Sequence, residues 1–344
     1  WRDNQDGIYA FASLWKSADT LLSVSGESEN SIVLAYPDCR ASVLQRWIDI
    51  FQWMQQQQQQ QQQSLQKHPS IEAQVLENGH TIRLSRKVEY HDNEDVPAVI
   101  STISQESTAI DPAVIEKRMQ AWVKRVLVEM RICPFTKSVS KSGQGLADLG
   151  VPVGKIAYHT SAASPQQICR LMADTWMAIA NMIEAGPSGK EGISSILMAA
   201  PKFDEDFDLW SGPIFAMLEA GVVAAGAEGD VGVVCFHPKY ATPDGTSFPG
   251  FGHMHSVPRL QQWLAENAPS QDLSTEEVAA GGAWQRRTPH ATINVLRADQ
   301  LEAAEGRRQS GIMYAENICK LVGNPDGLGN EKLAEDLQRE RNIY

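Results

Sequence analysis

The sequence has too few basic residues for a nucleic-acid-binding protein. Its 344 residues include 30 Lys and Arg against 42 Asp and Glu, for a formal net charge of −12 at pH 7. Binding to DNA, RNA or an anionic membrane surface requires a basic surface that releases counterions, and this composition does not supply one. We therefore expect no nucleic-acid partner.

Long apolar runs and paired cysteines are lacking as well. The longest apolar segments, such as 221–227 and 231–236, are much shorter than the roughly 18 residues of a membrane span. The five cysteines are scattered without a CxxC pair, which is typical of reduced thiols. We expect an intracellular protein without a membrane span, located in the cytoplasm or, after loss of a targeting segment, in an organelle such as a plastid.

The common signatures of catalytic and nucleotide-binding sites are also missing. No GxGxxG, GxSxG or HExxH motif occurs, and the segment 150–156 (GVPVGKI) is one residue short of a phosphate-binding loop. Nucleotide-binding, α/β-hydrolase and zincin functions therefore lose their main support. The cofactor remains unknown from the sequence.

Predicted strands and helices alternate in the larger, C-terminal part of the chain. Asp111-Pro112 is a typical helix start, and apolar residues follow it at helical spacing up to Met130. The predicted strands are 155–159, 193–199, 231–236 and 292–297, and the predicted helices are 165–183, 207–220, 299–321 and 331–341. This order predicts an α/β fold, a layered sheet with alternating helices.

A smaller α+β region is predicted at the N-terminus. An amphipathic helix at 43–54 continues into the glutamine run 55–63, which is either a solvated spacer or a contact for a protein partner. A strand at 32–36 and a hairpin across Asn78-Gly79 complete this region. The predicted organisation is an N-terminal α+β region with a Gln-rich helix (1–92), a linker (93–110), an α/β domain (111–323, with an insertion at 243–284) and a helical tail (324–344).

The two regions resemble each other faintly. The segments SIVLAYP (31–37) and SILMAAP (195–201) each lie between two helices that contain Trp. Either two buried strands are alike by chance, or the N-terminal region is a second, degenerate copy of the same unit.

Cys133, in the segment RICPFTK (131–137), is the candidate nucleophile. A thiol in a turn next to a helix is close to backbone N–H groups that stabilise a thiolate. Residues 111–141 contain seven Lys or Arg against three Asp or Glu, and we expect this local positive charge to lower the pKa of Cys133. Lys137 is a candidate substrate-binding residue. The alternative is a buried structural cysteine beside a solvated basic helix.

Two further segments lie at the ends of predicted strands. His237, in CFHPKY (235–240), follows a strand and is a candidate acid or base, with a capping role as the alternative. Arg287 and His290, in RRTPH (286–290), precede the last strand and suit a carboxylate or phosphate. Salt bridges to the acidic run 204–208 are the alternative for this cluster.

His253 and His255 form a weak candidate metal site. Their spacing in a loop suits zinc, but a protein zinc site needs at least a third ligand, which His237, His290 or Cys235 would have to supply. Loop histidines without a metal are the alternative.

Five separated blocks resemble an uncharacterised family, domain of unknown function fourteen-fifteen. They are Trp122 with its helix, Cys133-Pro-Phe135, Phe236-His-Pro-Lys-Tyr240, Arg287-Thr-Pro-His290 with Asn294-Val-Leu-Arg297, and Tyr314-Ala-Glu-Asn317. The resemblance covers about residues 113–323, with Thr288 where the family has Ser, the insertion at 243–284, and residues 1–110 outside it. It implies Cys133, His237, Tyr240, Arg287 and His290 as site positions, Tyr240 among the substrate-binding residues, and it brings no established activity.

Three functions follow from these patterns. The first is an α/β enzyme that binds a small anionic metabolite through Arg287, with Cys133 as nucleophile or redox thiol and His237 or His290 as acid or base. The second is a non-catalytic interaction or assembly protein that docks through its N-terminal Gln- and Trp-rich helix. The third is a metal-binding protein built on the two loop histidines.

Overall fold

The computed structural model describes most of the chain. The described residues are 4–23, 30–61, 70–87, 111–133, 135–246, 251–305 and 309–344. The predicted linker at 93–110, the last two glutamines of the run and Pro134 of the Cys-Pro-Phe block lie outside these residues.

The N-terminal region is a three-stranded antiparallel sheet with two helices. Its elements are α1 (Asn4–Ser23), β1 (Ser31–Ala35), α2 (Ala41–Gln61), β2 (Ser70–Val75) and β3 (Thr81–Lys87), with strand order β1-β3-β2. The predicted hairpin is confirmed, since β2 and β3 pair on either side of Asn78-Gly79. Gly79 has φ +69°, a left-handed conformation that glycine adopts at little cost.

The remaining elements form a five-stranded main sheet flanked by helices, which confirms the α/β fold class. They are α3 (Pro112–Trp122), β4 (Lys141–Ser142), β5 (Gly154–Thr160), α4 (Ile168–Ala185), β6 (Ile193–Ala199), α5 (Phe207–Leu209), α6 (Phe215–Ala224), β7 (Val231–Phe236), α7 (Val257–Asn267), α8 (Thr275–Trp284), β8 (Thr292–Arg297), α9 (Ala298–Glu305), α10 (Gln309–Val322) and α11 (Asn330–Arg341). The strands at 193–199, 231–236 and 292–297 have the predicted bounds.

Strand β8 runs against its neighbours. The strand order is β4-β5-β6-β8-β7, with β5 and β6 parallel and β8 antiparallel to both β6 and β7. Thr292, the first residue of β8, is paired with Ala199 and Phe236, the last residues of β6 and β7. The segment that precedes β8 therefore lies at the same edge of the sheet as the segments that follow β6 and β7.

The two faces of the main sheet belong to different hydrophobic clusters, because successive side chains of a strand point to opposite faces. Ile196, Cys235 and Ile293 pack with α4 and α6. Leu197 and Phe236 are on the other face, in a cluster that includes residues of α3 and α11.

The N-terminal helices share a hydrophobic cluster with the first of these faces. The ring of Phe11 on α1 lies 4.8 Å from that of Trp176 on α4, in a perpendicular arrangement. Gly221 on α6 also faces Trp176. A Cβ added to Gly221 would lie 2.7 Å from the Trp176 ring, so the absence of a side chain allows α6 and α4 to pack this closely. Trp47 on α2 is fully buried, and its Nε1 donates a 2.9 Å hydrogen bond to the carbonyl of Ala224. The two predicted regions are therefore packed into a common core.

The two regions also have the same topology, which favours the interpretation as a degenerate copy. In each region a helix, a strand, a helical segment and two strands follow in order, with α7 and α8 inserted before the last strand of the main sheet. In both regions the last strand pairs antiparallel between the other two. Equivalent helices contact each other, α1 with α4 and α2 with α6. In the alignment of SIVLAYP with SILMAAP, Val33 on β1 corresponds to Leu197 on β6. Val33 is 54 % exposed, whereas Leu197 is buried.

One helical run, Phe207–Ala224, has the length and composition of a membrane span. It consists of α5, a π-helical turn that contains Pro213, and α6. Trp210, Phe215 and Leu218 of this run are buried in the cluster between the main sheet and the N-terminal helices. The run thus packs as a core helix of the fold.

Phe11→Ala tests the shared core. Removing this buried ring is expected to lower the free energy of unfolding by about 3–5 kcal/mol, because it leaves a cavity between α1 and α4. Urea unfolding followed by tryptophan fluorescence and by circular dichroism should give one shifted transition. The exposed Val33→Ala serves as the control, with a change of less than about 1 kcal/mol. Two transitions, only one of which shifts in Phe11→Ala, would contradict a common core.

Candidate functional site

A cavity of about 140 Å³ lies over the second face of the main sheet. Its floor is formed by Ile156, Ser195, Leu197, Val234, Phe236, Asn294 and Leu296. Its walls include Leu127, Ile132, Cys133, Phe135, Thr136, His253, His255, Gln285, Arg286, Leu301, Ser310, Met313, Tyr314 and Asn317. We name this space the Arg286 cavity after the charged side chain in its wall.

A π-helical segment brings Cys133 to the cavity. Helix α3 continues as a π-helix over Val123–Glu129, and such segments occur frequently at functional sites. The chain then turns at Arg131, which has φ +55°. Asn317 on α10 holds the following residues in place, since its Nδ2 donates to the carbonyl of Ile132 at 2.8 Å.

Arg286 is a buried cation in the cavity wall, with 6 % of its surface exposed. Its Nη1 and Nη2 atoms donate to the carbonyls of Cys235, Gly252 and His253 and to the hydroxyl of Tyr314, at 2.6–3.4 Å. The guanidinium also lies 5.6 Å from the centre of the Phe236 ring.

None of these partners neutralises the charge of Arg286. Within the described part of the chain, no carboxylate forms an ion pair with its guanidinium, and its Nε–H makes no hydrogen bond. Removing a charge from water without a counter-ion costs several kcal/mol. An anion in the cavity would offset this cost.

His255 is a neutral imidazole in the same wall. Its ring packs edge-on against Trp263 and Tyr314, with centroid distances of 4.9 and 4.7 Å. Burial, reinforced by the charge of Arg286, lowers the pKa of His255 to about 3. Its ring nitrogens form no hydrogen bond with the described residues. At pH 7 it therefore offers one N–H donor and one acceptor.

Asn294 supplies a further donor from the floor. It lies in the middle of β8, on the same face as Leu197 and Val234, its partners on β6 and β7. Its Oδ1 accepts a 3.1 Å hydrogen bond from the Ser195 hydroxyl, whereas its Nδ2 has no partner among the described residues. Asn294 is half-buried although β8 is a central strand, because the cavity lies above it.

Cys133 lines the cavity, but the expected lowering of its pKa is wrong. Burial raises the pKa of this thiol, and this effect outweighs hydrogen bonds such as the 3.7 Å contact with the Thr136 hydroxyl. The basic residues of 111–141 are directed elsewhere. Arg125, for example, forms a 2.6 Å ion pair with Glu340, and Lys137 is exposed. Cys133 is therefore a protonated thiol at pH 7.

His237 lies on the opposite side of the main sheet. As expected from strand alternation, it points the same way as Cys235, into contact with the rings of Phe207 and Trp210. It is fully buried, donates from Nε2 to the carbonyl of Phe203 at 3.0 Å and accepts at Nδ1 from the backbone N–H of Lys239. Burial lowers its pKa. The acid or base role of His237 stays a prediction, and the structure does not place it with Cys133.

His290 belongs to a buried polar network outside the cavity. Its Nδ1 donates to Asp204 at 2.9 Å, and its Nε2 accepts from Arg118 at 3.4 Å. Asp204 also accepts from the backbone N–H of Ala291 and lies 3.4 Å from Arg341. Asp204 is in the acidic run 204–208, so His290 contacts the run named in the alternative for this cluster, through a hydrogen bond. The network fastens the start of β8 to the C-terminal tail.

The three predicted substrate-binding residues also lie outside the Arg286 cavity. Arg287 donates from Nε to the carbonyl of Tyr240 at 3.0 Å, and its guanidinium stacks 4.5 Å from the centre of the Trp284 ring. Tyr240 is buried, which raises its pKa, and Lys137 is exposed. The guanidinium in the cavity belongs to Arg286, the neighbour of Arg287.

The two loop histidines both line the cavity, but the ligands expected to join them do not. Cys235 and His237 face the other side of the sheet, and His290 is bound to Asp204. Across the described ranges, no group of three or more His, Cys, Asp or Glu side chains is placed to hold a metal ion. The insertion at 243–284 instead forms α7 and α8, which pack with α10 beside the cavity.

Some cavity residues had signals in the sequence. Tyr314 and Asn317 are three residues apart, which places them on one face of α10. Asn294 is a polar residue in the middle of an apolar strand, which indicates that one face of β8 contacts a polar group or ligand. The His253-x-His255 spacing singled out His255, but its neutrality depends on burial by Trp263 and Tyr314, which the spacing does not show.

The comparison with family models gives one match. The model of the family described as "Protein of unknown function (DUF1415)" matches residues 114–249. This agrees with the resemblance to an uncharacterised family. The matched range includes Cys133 and His237 but ends before His253, Arg286 and Tyr314. No curated protein and no solved structure matches the chain.

His255→Gln tests the neutral imidazole. Below pH 6.5 the unfolded chain takes up a proton at His255 that the folded protein refuses until about pH 3, so the wild type loses stability as the pH falls through this range. The stability advantage of the wild type over His255→Gln should therefore shrink by about 2–3 kcal/mol between pH 7 and pH 4.5. Urea unfolding at both pH values measures this difference. An unchanged difference would show that His255 titrates normally.

Proposed function

We propose that this protein binds a small organic anion in the Arg286 cavity. The observation that carries the proposal is the buried guanidinium of Arg286, which has no carboxylate partner among the described residues and lines a cavity. A bound anion would lower the free-energy cost of burying this charge, and the charge in turn would attract the anion.

The other polar groups of the cavity fit an anionic ligand. Arg286 is the one permanently charged side chain among the described residues that line it. Nε–H of Arg286 and the Nδ2 of Asn294 are unused donors, and the hydroxyl of Tyr314, which accepts from Arg286, keeps its own proton to donate. In a cavity of low polarity, the attraction between a cation and an anion is stronger than in water.

We keep Cys133 as the candidate nucleophile of an enzyme, but not as a thiolate at pH 7. Cys133 lines the same cavity, so an anion bound to Arg286 would be next to a thiol. Because this thiol is protonated at pH 7, its use as a nucleophile requires a base. Of His237, His255 and His290, only His255 lines this cavity, although its lowered pKa makes it a weak base.

A contact with a protein partner through α2 is the second candidate function. Trp15 and Trp47 are buried in the core and are not available to a partner. Trp53 is 37 % exposed on α2, two residues before the glutamine run, and supports this candidate. Loss of a co-purifying protein from Trp53→Ala, with the oligomeric state otherwise unchanged, would support it.

Arg286→Gln tests anion binding. Differential scanning fluorimetry with acetate, benzoate, succinate and phosphate should show stabilisation of the wild type by at least one of these anions, and none in Arg286→Gln. Arg297→Gln is the matched control, because Arg297 is also buried and also donates to backbone carbonyls, those of Ile193 and Met182, but lies outside the cavity.

The proposal fails if Arg286→Gln keeps the anion response of the wild type. It also fails if Arg297→Gln loses the response to the same extent, since the effect would then come from general loss of stability.

Alkylation tests the state of Cys133. Iodoacetamide should label it slowly at pH 7 and faster as the pH approaches and passes 9, because the pKa of the thiol is raised. An anion that binds at Arg286 should slow this labelling. Mass spectrometry of the labelled peptides identifies the site, with Cys133→Ser as the blank. Rapid and selective labelling of Cys133 at pH 7 would contradict the raised pKa. It would support the original hypothesis that Cys133 is a thiolate in the unliganded protein.

A further inference from the structure

The ligand class follows from the apolar part of the Arg286 cavity. Most of its lining is hydrocarbon, including Leu127, Ile132, Leu197, Val234, Leu296 and Met313. Its volume of about 140 Å³ is close to the roughly 150 Å³ of an apolar protein cavity that binds benzene. The space therefore suits one six-membered ring or one branched aliphatic chain.

The charge of the cavity suits a single negative charge. One guanidinium faces this space, and the described lining residues include no Lys, Asp or Glu. A dianion would bring a second charge that no cation in the lining compensates, and it would leave much of that charge against hydrocarbon.

The free donors also suit a carboxylate better than a phosphate. Both Nη atoms of Arg286 are engaged by the carbonyls of Gly252 and His253 and by Tyr314, which leaves Nε–H as its unused donor. This geometry excludes the two-pronged contact by which arginine often binds a carboxylate or a phosphate, so the ligand receives one hydrogen bond from Arg286. A carboxylate has two oxygens to satisfy and a phosphate has three or four, so a phosphate would leave more of its oxygens without a donor. Asn294 adds one neutral donor, set between Leu197 and Val234 on the floor.

From these three observations we infer that the ligand is a compact monocarboxylate with an apolar body, an aromatic or branched-chain acid. The inference rests on the proposed anion-binding function. The carboxylate lies at Arg286, and the ring or chain lies over the apolar floor beside Leu197 and Val234.

Isothermal titration of the full chain with four probes tests the ligand class. Benzoate and 3-methylbutanoate represent the inferred class, and succinate and phosphate represent the excluded one. Benzoate or 3-methylbutanoate should bind at least tenfold more tightly than succinate and phosphate, and Arg286→Gln should abolish this binding. Benzamide, a neutral molecule of the same shape as benzoate, should bind at least tenfold more weakly than benzoate.

Each contrary result has a distinct meaning. Arg286-dependent binding of phosphate or succinate, with weaker binding of the two monocarboxylates, would overturn the ligand class and leave the proposed function intact. Equal binding of benzamide and benzoate would show that Arg286 does not recognise the negative charge of the carboxylate. If none of the four anions binds, the ligand class and the proposed function both fail.

Leu197→Ala tests the position of the apolar body. This substitution enlarges the floor, so the ratio of affinities for 4-methylbenzoate and benzoate should rise about fourfold in favour of the larger acid, the value of one buried methyl group. Leu264→Ala is the matched control, since Leu264 is equally buried but lies between α7, α8 and α10, outside the cavity. A ratio within one variant does not depend on that variant's stability. An equal ratio in Leu197→Ala and Leu264→Ala would overturn the placement of the ring.

Discussion

The antiparallel pairing of β8 between β6 and β7 is the constraint on which the rest of the structure depends. It brings the segment before β8, with Arg286 and His290, to the edge of the sheet where β6 and β7 end. The alternation of side chains then divides this edge into two sites. Cys235 and His237 join the core under α6, whereas Phe236 and Asn294 face the cavity with Arg286. The side chains of His237 and Arg286 are thereby on opposite faces of the sheet.

Arg286 shows how a protein keeps a buried cation without a buried carboxylate. Three backbone carbonyls and the Tyr314 hydroxyl satisfy four N–H groups, and the Phe236 ring supports the guanidinium from one side. These partners hold the side chain in place but, among the described residues, none compensates its charge, and the proposed anion would do so. The same charge helps to keep His255 neutral. One side chain therefore sets the electrostatics of the whole cavity.

The N-terminal sheet shares the topology of the main sheet, but its corresponding face is exposed. The outer face of the N-terminal sheet is the counterpart of the cavity floor, and Val33 stands where the main sheet has Leu197. Arg83 and Glu72 on this N-terminal face are exposed, whereas the main sheet is covered by α3, α10 and the tail. The N-terminal region contributes its helices to the common core, through contacts such as Phe11 with Trp176.

The sequence by itself determined three strands of the main sheet and singled out Cys133, His253 and His255, which line the cavity. The strands 193–199, 231–236 and 292–297 were predictable because each is a short apolar run between turn residues, and Cys133 was predictable from its position after a long amphipathic helix. The tertiary structure decided which neighbouring polar residues share a space, Arg286 instead of Arg287 and His255 instead of His237 or His290. It also decided the ionisation of Cys133, which the count of nearby basic residues had predicted with the wrong sign. Strand direction and burial arise from contacts between distant parts of the chain, so neither local spacing nor local charge specifies them.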